Sequence, residues 1–454
     1  MKNINRREFL KRSAAATLAA TPGLSFAQSV GGGAPFNDYR ALVCVFLFGG
    51  NDSFNMVVPY TQAEYNLYAN SRQNLAIPRD QLLPVNPLSQ PATPGNEPFG
   101  LHPVMGGLQA LFASGELAFV NNVGPLIEPT TKSQYFDKSV LLPPQLFSHN
   151  DQQDQWLSLK GRNISNTGWA GRMADLIRTN VAGQQMATNA SLFGSNLFQS
   201  ADETFAYVMG ASGPERYQWL SWFPQELQDA HYQAFGAIVD ESYDSVYARG
   251  FADVQRRAID SADSVSAAIA SARDFATPFP GSQLGTQLRT VASLIDVRDQ
   301  LRMQRQIFFV AAGGFDSHDN QEIDQPVLLG DVSDSIAAFA AALQEMGMRD
   351  SVTTFTQSDF GRTLTSNGDG TDHAWGGIQL VMGGSVMGQD MYGTYPLLQI
   401  DGPDDVGGGR MIPTTSADQF AATLASWFGI PDADLDIVAP NIDNFAQRDL
   451  GFMV

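Results

Sequence analysis

The chain predicts an α/β fold, a mainly parallel, doubly wound sheet flanked by helices. Three observations carry this prediction. Five short apolar runs recur along its 454 residues, and most end in Gly or polar residues, as strands buried on both faces do. Helical patterns precede three of these runs. Polar groups follow them closely: Asp52, Asn121, Asp316, His318 and Asp359 each come a few residues after an apolar run. Sheets of this class place their ligands there, beyond the carboxyl ends of the strands.

Residues 1–27 stand apart from the fold. Asn5-Arg6-Arg7-Glu8-Phe9-Leu10-Lys11 is a twin-arginine pattern, followed by a weakly apolar run from Ala14 to Ala20 and a small-residue cleavage sequence, Ser25-Phe26-Ala27. This predicts a twin-arginine signal peptide, removed on export, and a mature protein in the periplasm or secreted beyond it. The signal's apolar run is too short to cross a bilayer. Other apolar runs are broken by Gly or charge, so no membrane span is expected after cleavage. Residues 28–454 are expected to form a single domain.

The elements follow in order. Ala41 to Phe48 reads as the first strand. It holds Cys44, the only cysteine, which excludes an intrachain disulfide and reads as a small buried hydrophobe. The Pro-rich stretch 84–100 reads as a surface loop. Leu108 to Phe112 reads as helix and Leu117 to Val120 as the second strand. Residues 150–300 are richer in helix formers and aromatics, among them Trp156, Trp169 and Trp222, and predict a helical insertion, with a separate domain as the alternative. Within it, 241–275 reads as helix. An amphipathic stretch from Leu284 to Arg305 leads to the third strand, Ile307 to Ala311. A helix from Asp334 to Met346 leads to the fourth, Val352 to Thr356. The fifth is Ile378 to Met382, and Asp401 to Gly409 reads as a loop. Ser416 caps a final helix that reaches Phe428, with Gly429 just past its end.

Charge narrows the partners. The chain carries −20, and its signal holds five cations against one anion, so the mature protein is near −24. That disfavours nucleic acid and anionic membranes.

Histidine is scarce, five in all, and four lie in short polar clusters: His102, His149, His318 and His373. Asp316 and His318 are two apart, so an extended segment would point both toward one cation. Asp372 and His373 are adjacent in a turn that can present one or both. Carboxylate with imidazole suits zinc, manganese or iron better than calcium. Ser148 stands at the start of a helix, a position for a nucleophile or for a plain capping serine. Arg362 could bind a phosphate or sulfate oxygen, or hold a structural salt bridge. Ser358-Asp359-Phe360-Gly361 contains D-F-G, but the other kinase motifs are missing, as are a serine elbow and a dinucleotide fingerprint.

Five stretches together resemble the bacterial family known as domain of unknown function 1501. They are Leu47-Phe48-Gly49-Gly50-Asn51-Asp52-Ser53-Phe54-Asn55, Ser148-His149-Asn150-Asp151-Gln152, Gly314-Phe315-Asp316-Ser317-His318-Asp319-Asn320-Gln321, Asp359-Phe360-Gly361-Arg362-Thr363 and Gly370-Thr371-Asp372-His373-Ala374. The family is similar to a distant branch of the alkaline phosphatase and sulfatase superfamily. The resemblance implies metals at the strand ends and hydrolysis of a small anionic ester, a phosphate or a sulfate. Carried over by motif, Asp52 would match the first-strand aspartate ligand. Asp316 and His318 would match the Asp-and-His pair, Asp359 the next aspartate ligand and His373 the last histidine, with Asp372 beside it. Ser148 would be the nearest match for the nucleophile, with His149 or Arg362 aiding anion binding. The implied cofactor is a divalent metal, zinc first, with manganese, iron or calcium as alternatives.

Two departures bear on this. Asp316 and His318 are two apart where phosphatases space the pair by four. Phe360 stands where a phosphatase has histidine, so one of two metal sites would lack a ligand. The alternative is a non-catalytic exported binding or structural protein that keeps the fold and engages an unidentified protein partner.

Overall fold

The computed structural model describes residues 34–90, 97–163, 165–214 and 222–454. The expected twin-arginine signal, residues 1–27, and the middle of the Pro-rich stretch, 91–96, lie outside the described residues.

Residues 35–454 form one compact unit. Its strands are β1 (Arg40–Leu47), β2 (Val57–Pro59), β3 (Leu83–Val85), β4 (Phe99–Leu101), β5 (Leu117–Gly124), β6 (Asn189–Ser191), β7 (Tyr207–Val208), β8 (Arg305–Ala312), β9 (Val352–Ser358), β10 (Arg362–Ser366), β11 (Thr371–His373), β12 (Gly377–Met382), β13 (Asp390–Tyr392) and β14 (Thr415–Ser416). The main sheet runs β13-β5-β12-β9-β1-β8-β6-β7, with β14 also pairing β5. All five predicted strands are in it. β2, β4 and β3 form a small separate sheet, and β10 with β11 a two-stranded ribbon.

The sheet is parallel except for β12, which runs antiparallel to both β9 and β5. Its reversal follows from connectivity. β10 and β11 rise as a ribbon just past the end of β9, and the chain then turns straight back into β12. Antiparallel neighbours can be joined this way without a crossover helix.

The continuous apolar run of β1 is explained by burial on both faces. Ala41, Val43, Val45 and Leu47 enter one core, while Leu42, Cys44 and Phe46 enter the other. Each large side chain so buried contributes about 1.5–3 kcal/mol. The helices that matter here are α1 (Gln62–Arg72), α2 (Gly106–Ala113), α3 (His149–Ser158), α4 (Trp169–Ile177), α5 (Gln225–Val239), α6 (Val246–Ile269), α7 (Gln283–Asp296), α8 (Gln321–Met346) and α9 (Ala417–Phe428). Side chains of α2, α7 and α8 fill the first core, and those of α3, α4 and α9 fill the second. The sheet is therefore wound on both sides, as predicted.

Several local expectations are refined. Residues 150–300 hold α4 to α7 but also give β6 and β7 to the main sheet, so the segment is partly woven into the sheet. Asn121 lies inside β5 rather than after it. β5 continues through a register irregularity opposite Gly377 and Gln379, where Asn122 takes φ +46°. α8 is long and apolar enough by composition to cross a membrane. Here Leu329, Val332, Ile336, Phe339 and Leu343 are buried in the core instead. Ser416 caps α9 through a capping box, and Gly429 ends it at φ +114°.

Candidate functional site

β9, β1 and β8 are adjacent parallel strands, and the loops past their ends bring Asp359, Gly49 and Asp316 together. Gly49 makes the convergence possible. It adopts φ +117°, and a Cβ there would lie 2.3 Å from the Asp316 amide nitrogen. Its own N–H donates to Asp359 Oδ1 at 3.3 Å.

Two further segments complete the cluster. α3 delivers His149 from its first turn, and the β10–β11 ribbon delivers His373, paired in register with Arg362. His149, Asp316 and His373 offer ligand atoms that all lie within 4.8 Å of one another. His149 Nε2 is 3.4 Å from Asp316 Oδ2, and His373 Nε2 is 3.3 Å from Asp316 Oδ1. A tetrahedron with bonds of about 2.0–2.1 Å has edges of about 3.3 Å, so each histidine lies at ligand spacing from one Asp316 oxygen, His149 from Oδ2 and His373 from Oδ1.

Each ring is turned toward that point from behind. His149 Nδ1–H donates to Asp359 Oδ2 at 2.7 Å, which leaves Nε2 facing Asp316, buried and without a hydrogen-bond partner. Asp359 is fully buried and also accepts from Gln153 Nε2 at 2.9 Å. His373 Nδ1–H donates to the Phe147 carbonyl at 2.7 Å, which directs Nε2 inward. Burial lowers the His373 pKa, helped by the nearby charges of His149 and Arg362, so the ring favours the neutral form that a metal takes. Phe360 packs on both rings, its centroid 4.8 Å from His149 and 4.6 Å from His373.

His318 stands beside this set. Its Nε2 lies 2.8 Å from His373 Nε2 and 3.0 Å from Asp316 Oδ1, and its Nδ1 lies 3.3 Å from Asp372 Oδ1. Two Nε2 atoms this close must share a proton or a cation, because facing lone pairs repel. Asp372 can fix the Nδ1–H of His318 as Asp359 fixes that of His149.

The structure bears on the part played by four predicted residues. Arg362 is fully buried, with Nη1 donating to Asp316 Oδ1 at 3.0 Å and Gly49 O at 2.9 Å, Nε to Thr371 Oγ1 at 3.0 Å, and Nη2 to Thr371 O. With four of its five N–H donors engaged inside the protein, it holds one oxygen of Asp316 in place. Burial would raise the Asp316 pKa, but the hydrogen bond and charge of Arg362, with His318 and His149, hold it below the usual carboxylate range. Asp52 does not join the cluster. It is buried in an ion pair with Arg72 and takes a hydrogen bond from Gln321. Asp359 supports His149 from behind and is not among the three converging ligands. Ser148 donates to Asp151 Oδ2 at 2.7 Å and makes no side-chain capping bond.

Sequence reasoning did not single out Arg72, Gln153, Gln321 or the Phe147 carbonyl. Only Gln153 carried a usable signal, since it lies one helical turn from His149 and so shares its face of α3.

The family model described as "Protein of unknown function (DUF1501)" matches residues 39–435. No curated protein matches the chain. Solved structures similar to it include a phosphonate monoester hydrolase, SpPMH, from Silicibacter pomeroyi, at 10% identity and TM-score 0.36, covering 86% of this chain and 73% of that one. The sulfatase PsFucS1 from Pseudoalteromonas sp. matches at 8% identity and TM-score 0.34, over 87% and 68% of the two chains. The lipoteichoic acid synthase LtaP from Listeria monocytogenes matches at 10% identity and TM-score 0.32, over 88% and 76%.

Proposed function

We propose that this chain, which belongs to the DUF1501 family, is an exported metal-dependent hydrolase of phosphate or sulfate esters. One observation carries the reading: His149, Asp316 and His373 bring ligand atoms within 4.8 Å of one another, each held from behind by another group. Such backing orients ligands and sets their tautomers. The motif resemblance to the alkaline phosphatase and sulfatase superfamily supplies the ester chemistry, and the twin-arginine pattern supplies the periplasmic or secreted destination.

In this reading His149, Asp316 and His373 hold the metal, with His318 beside them. A bound divalent cation would polarise the ester oxygen and offset the charge that develops on it. Arg362 keeps one Asp316 oxygen fixed. Ser148 is the nucleophile, and Asp151, 2.7 Å from its hydroxyl, accepts its proton. Phe360 excludes water from one side of His149 and His373.

A second reading, an exported binding or structural protein, is favoured by two observations. The superfamily resemblance would put a second-metal histidine where Phe360 stands, and Arg362 is fully buried with four of its five N–H donors engaged within the protein.

Elemental analysis of the native, untagged protein tests the proposal. About one equivalent of zinc, manganese, iron or calcium is expected, lost in His149→Ala/His373→Ala, with ester hydrolysis lost in both that variant and Ser148→Ala. A folded protein that takes up no added metal would leave the binding reading in place.

A further inference from the structure

A cleft of about 400 Å³ lies between α1, β4 and the segment after β13, and Asn121 of β5 lines it. None of His149, Asp316, His318 and His373 does. Leu117 and Phe119 enter the first core, and side chains two apart along a strand share a face, so Asn121 points to that side as well. Phe99 and Leu398, members of the same core, form cleft walls beside it. Asn121 is 2% exposed, and its Oδ1 has no hydrogen-bond partner among the described residues. Its Nδ2 donates to the Gly393 carbonyl at 3.5 Å. That contact sets the sense of the amide, because turning it over would bring two carbonyl oxygens face to face. A buried acceptor left unpaired is costly, and a molecule in the cleft could supply the missing donor.

The other walls narrow the kind of donor. Leu67, Tyr395 and Pro396 add apolar surface, and the Tyr395 ring lies 4.9 Å from that of Phe99. The Tyr395 hydroxyl already donates to the Val57 carbonyl at 2.8 Å. Among the described lining residues only Glu64, at an exposed position of α1, bears a charge. An anion would meet a carboxylate and an unpaired carbonyl oxygen, with no cation to offset them. A positively charged N–H group would meet an acceptor, aromatic walls and a carboxylate, and each of these favours it.

We propose that this cleft binds a small organic ammonium ion, its N–H donated to Asn121 Oδ1 and its hydrocarbon part resting on Leu67, Phe99 and Leu398. Apolar walls with a few placed polar groups are the usual build of a small-molecule site. The net charge of −20 also draws cations toward the protein. The proposal does not depend on the metal reading.

Calorimetric titration of the full chain tests it, using phenethylamine, cyclohexylamine and isoamylamine, each beside its N-trimethylated and its carboxylate counterpart. The trimethylated form keeps the charge but has no N–H, and the carboxylate reverses the charge. Saturable binding of at least one amine is expected, with both of its counterparts weaker by about tenfold or more. Asn121→Leu should weaken binding of that amine by about tenfold or more and erase its advantage over the trimethylated form, while metal content stays unchanged. Replacing an unpaired buried acceptor by an apolar group of similar size should leave the fold intact. Should that variant fold poorly, Leu67→Trp serves instead, since this partly exposed wall residue can fill the cleft when enlarged. No saturable binding of any of the three amines, a counterpart that binds as tightly as its amine, or unchanged amine binding in Asn121→Leu or Leu67→Trp would each overturn the proposal.

Discussion

The Asp359 carboxylate lies 2.7 Å from His149 Nδ1, and because that carboxylate is fully buried and also held by Gly49 N and Gln153, the imidazole cannot turn without breaking a buried network. The orientation of His149 Nε2 toward Asp316 is thus built in before any ligand arrives.

Asp359→Asn should therefore weaken divalent-metal binding by about 10–100-fold, the usual cost of losing a group behind a ligand. His149→Ala should weaken it further. Competition against a chromogenic chelator measures both. Unchanged affinity in Asp359→Asn would remove its supporting role.

Gly49→Ala should lower stability by more than about 2 kcal/mol. The left-handed conformation alone costs a non-glycine residue about 1–2 kcal/mol, and the new methyl would meet the Asp316 amide at 2.3 Å. Since the Asp316 loop must move to relieve that contact, metal affinity should fall as well. Denaturant unfolding beside metal titration checks the pair of effects. A loss of stability with affinity intact would show that the loops adjust independently.

The Arg72–Asp52 pair, with side chains 0% and 1% exposed, makes a double-replacement test informative. Arg72→Met should cost about 3–5 kcal/mol, because it strands a buried carboxylate. Arg72→Met/Asp52→Asn should recover part of that loss. If the double variant is no more stable than the single, the cost lies in the bond from Arg72 to the Thr363 carbonyl and in packing rather than in charge.

Asp418 predicts a pH effect of defined sign. Burial raises its pKa to about 7, against opposing hydrogen bonds from Asn441 and Ser416. An acid whose folded pKa lies above its unfolded value contributes most below the unfolded value, near 4, and that contribution is lost as pH rises toward 7. Asp418→Asn should therefore gain thermal stability relative to the unmodified protein on going from about pH 5 to about pH 8. Melting curves at both values decide it, and an unchanged difference would mean that Asp418 is ionised throughout.

What could be read from the sequence follows the range of the forces involved. Strands β1, β5, β8, β9 and β12 were visible because burial on both faces leaves a local apolar run, and α9 was visible because its capping residues are adjacent to it. Asp316, His318 and His373 stood out because histidine is rare here. The direction of β12 was not visible, since it depends on where the β10–β11 ribbon leaves the chain. Nor were the roles of Asp52 and Arg362. Whether a carboxylate meets a metal or an arginine depends on Arg72, or on the Thr371 and Gly49 carbonyls, and no local pattern reports those encounters.

The parallel pairing of β1 with β8, in which Arg40 lies beside Arg305, has a consequence for assembly. Gly49 and Asp316 are 267 residues apart in the chain, and pairings so distant in sequence form slowly. The His149, Asp316 and His373 cluster is therefore complete only in a chain whose central strands have paired, so its assembly reports the closure of the sheet.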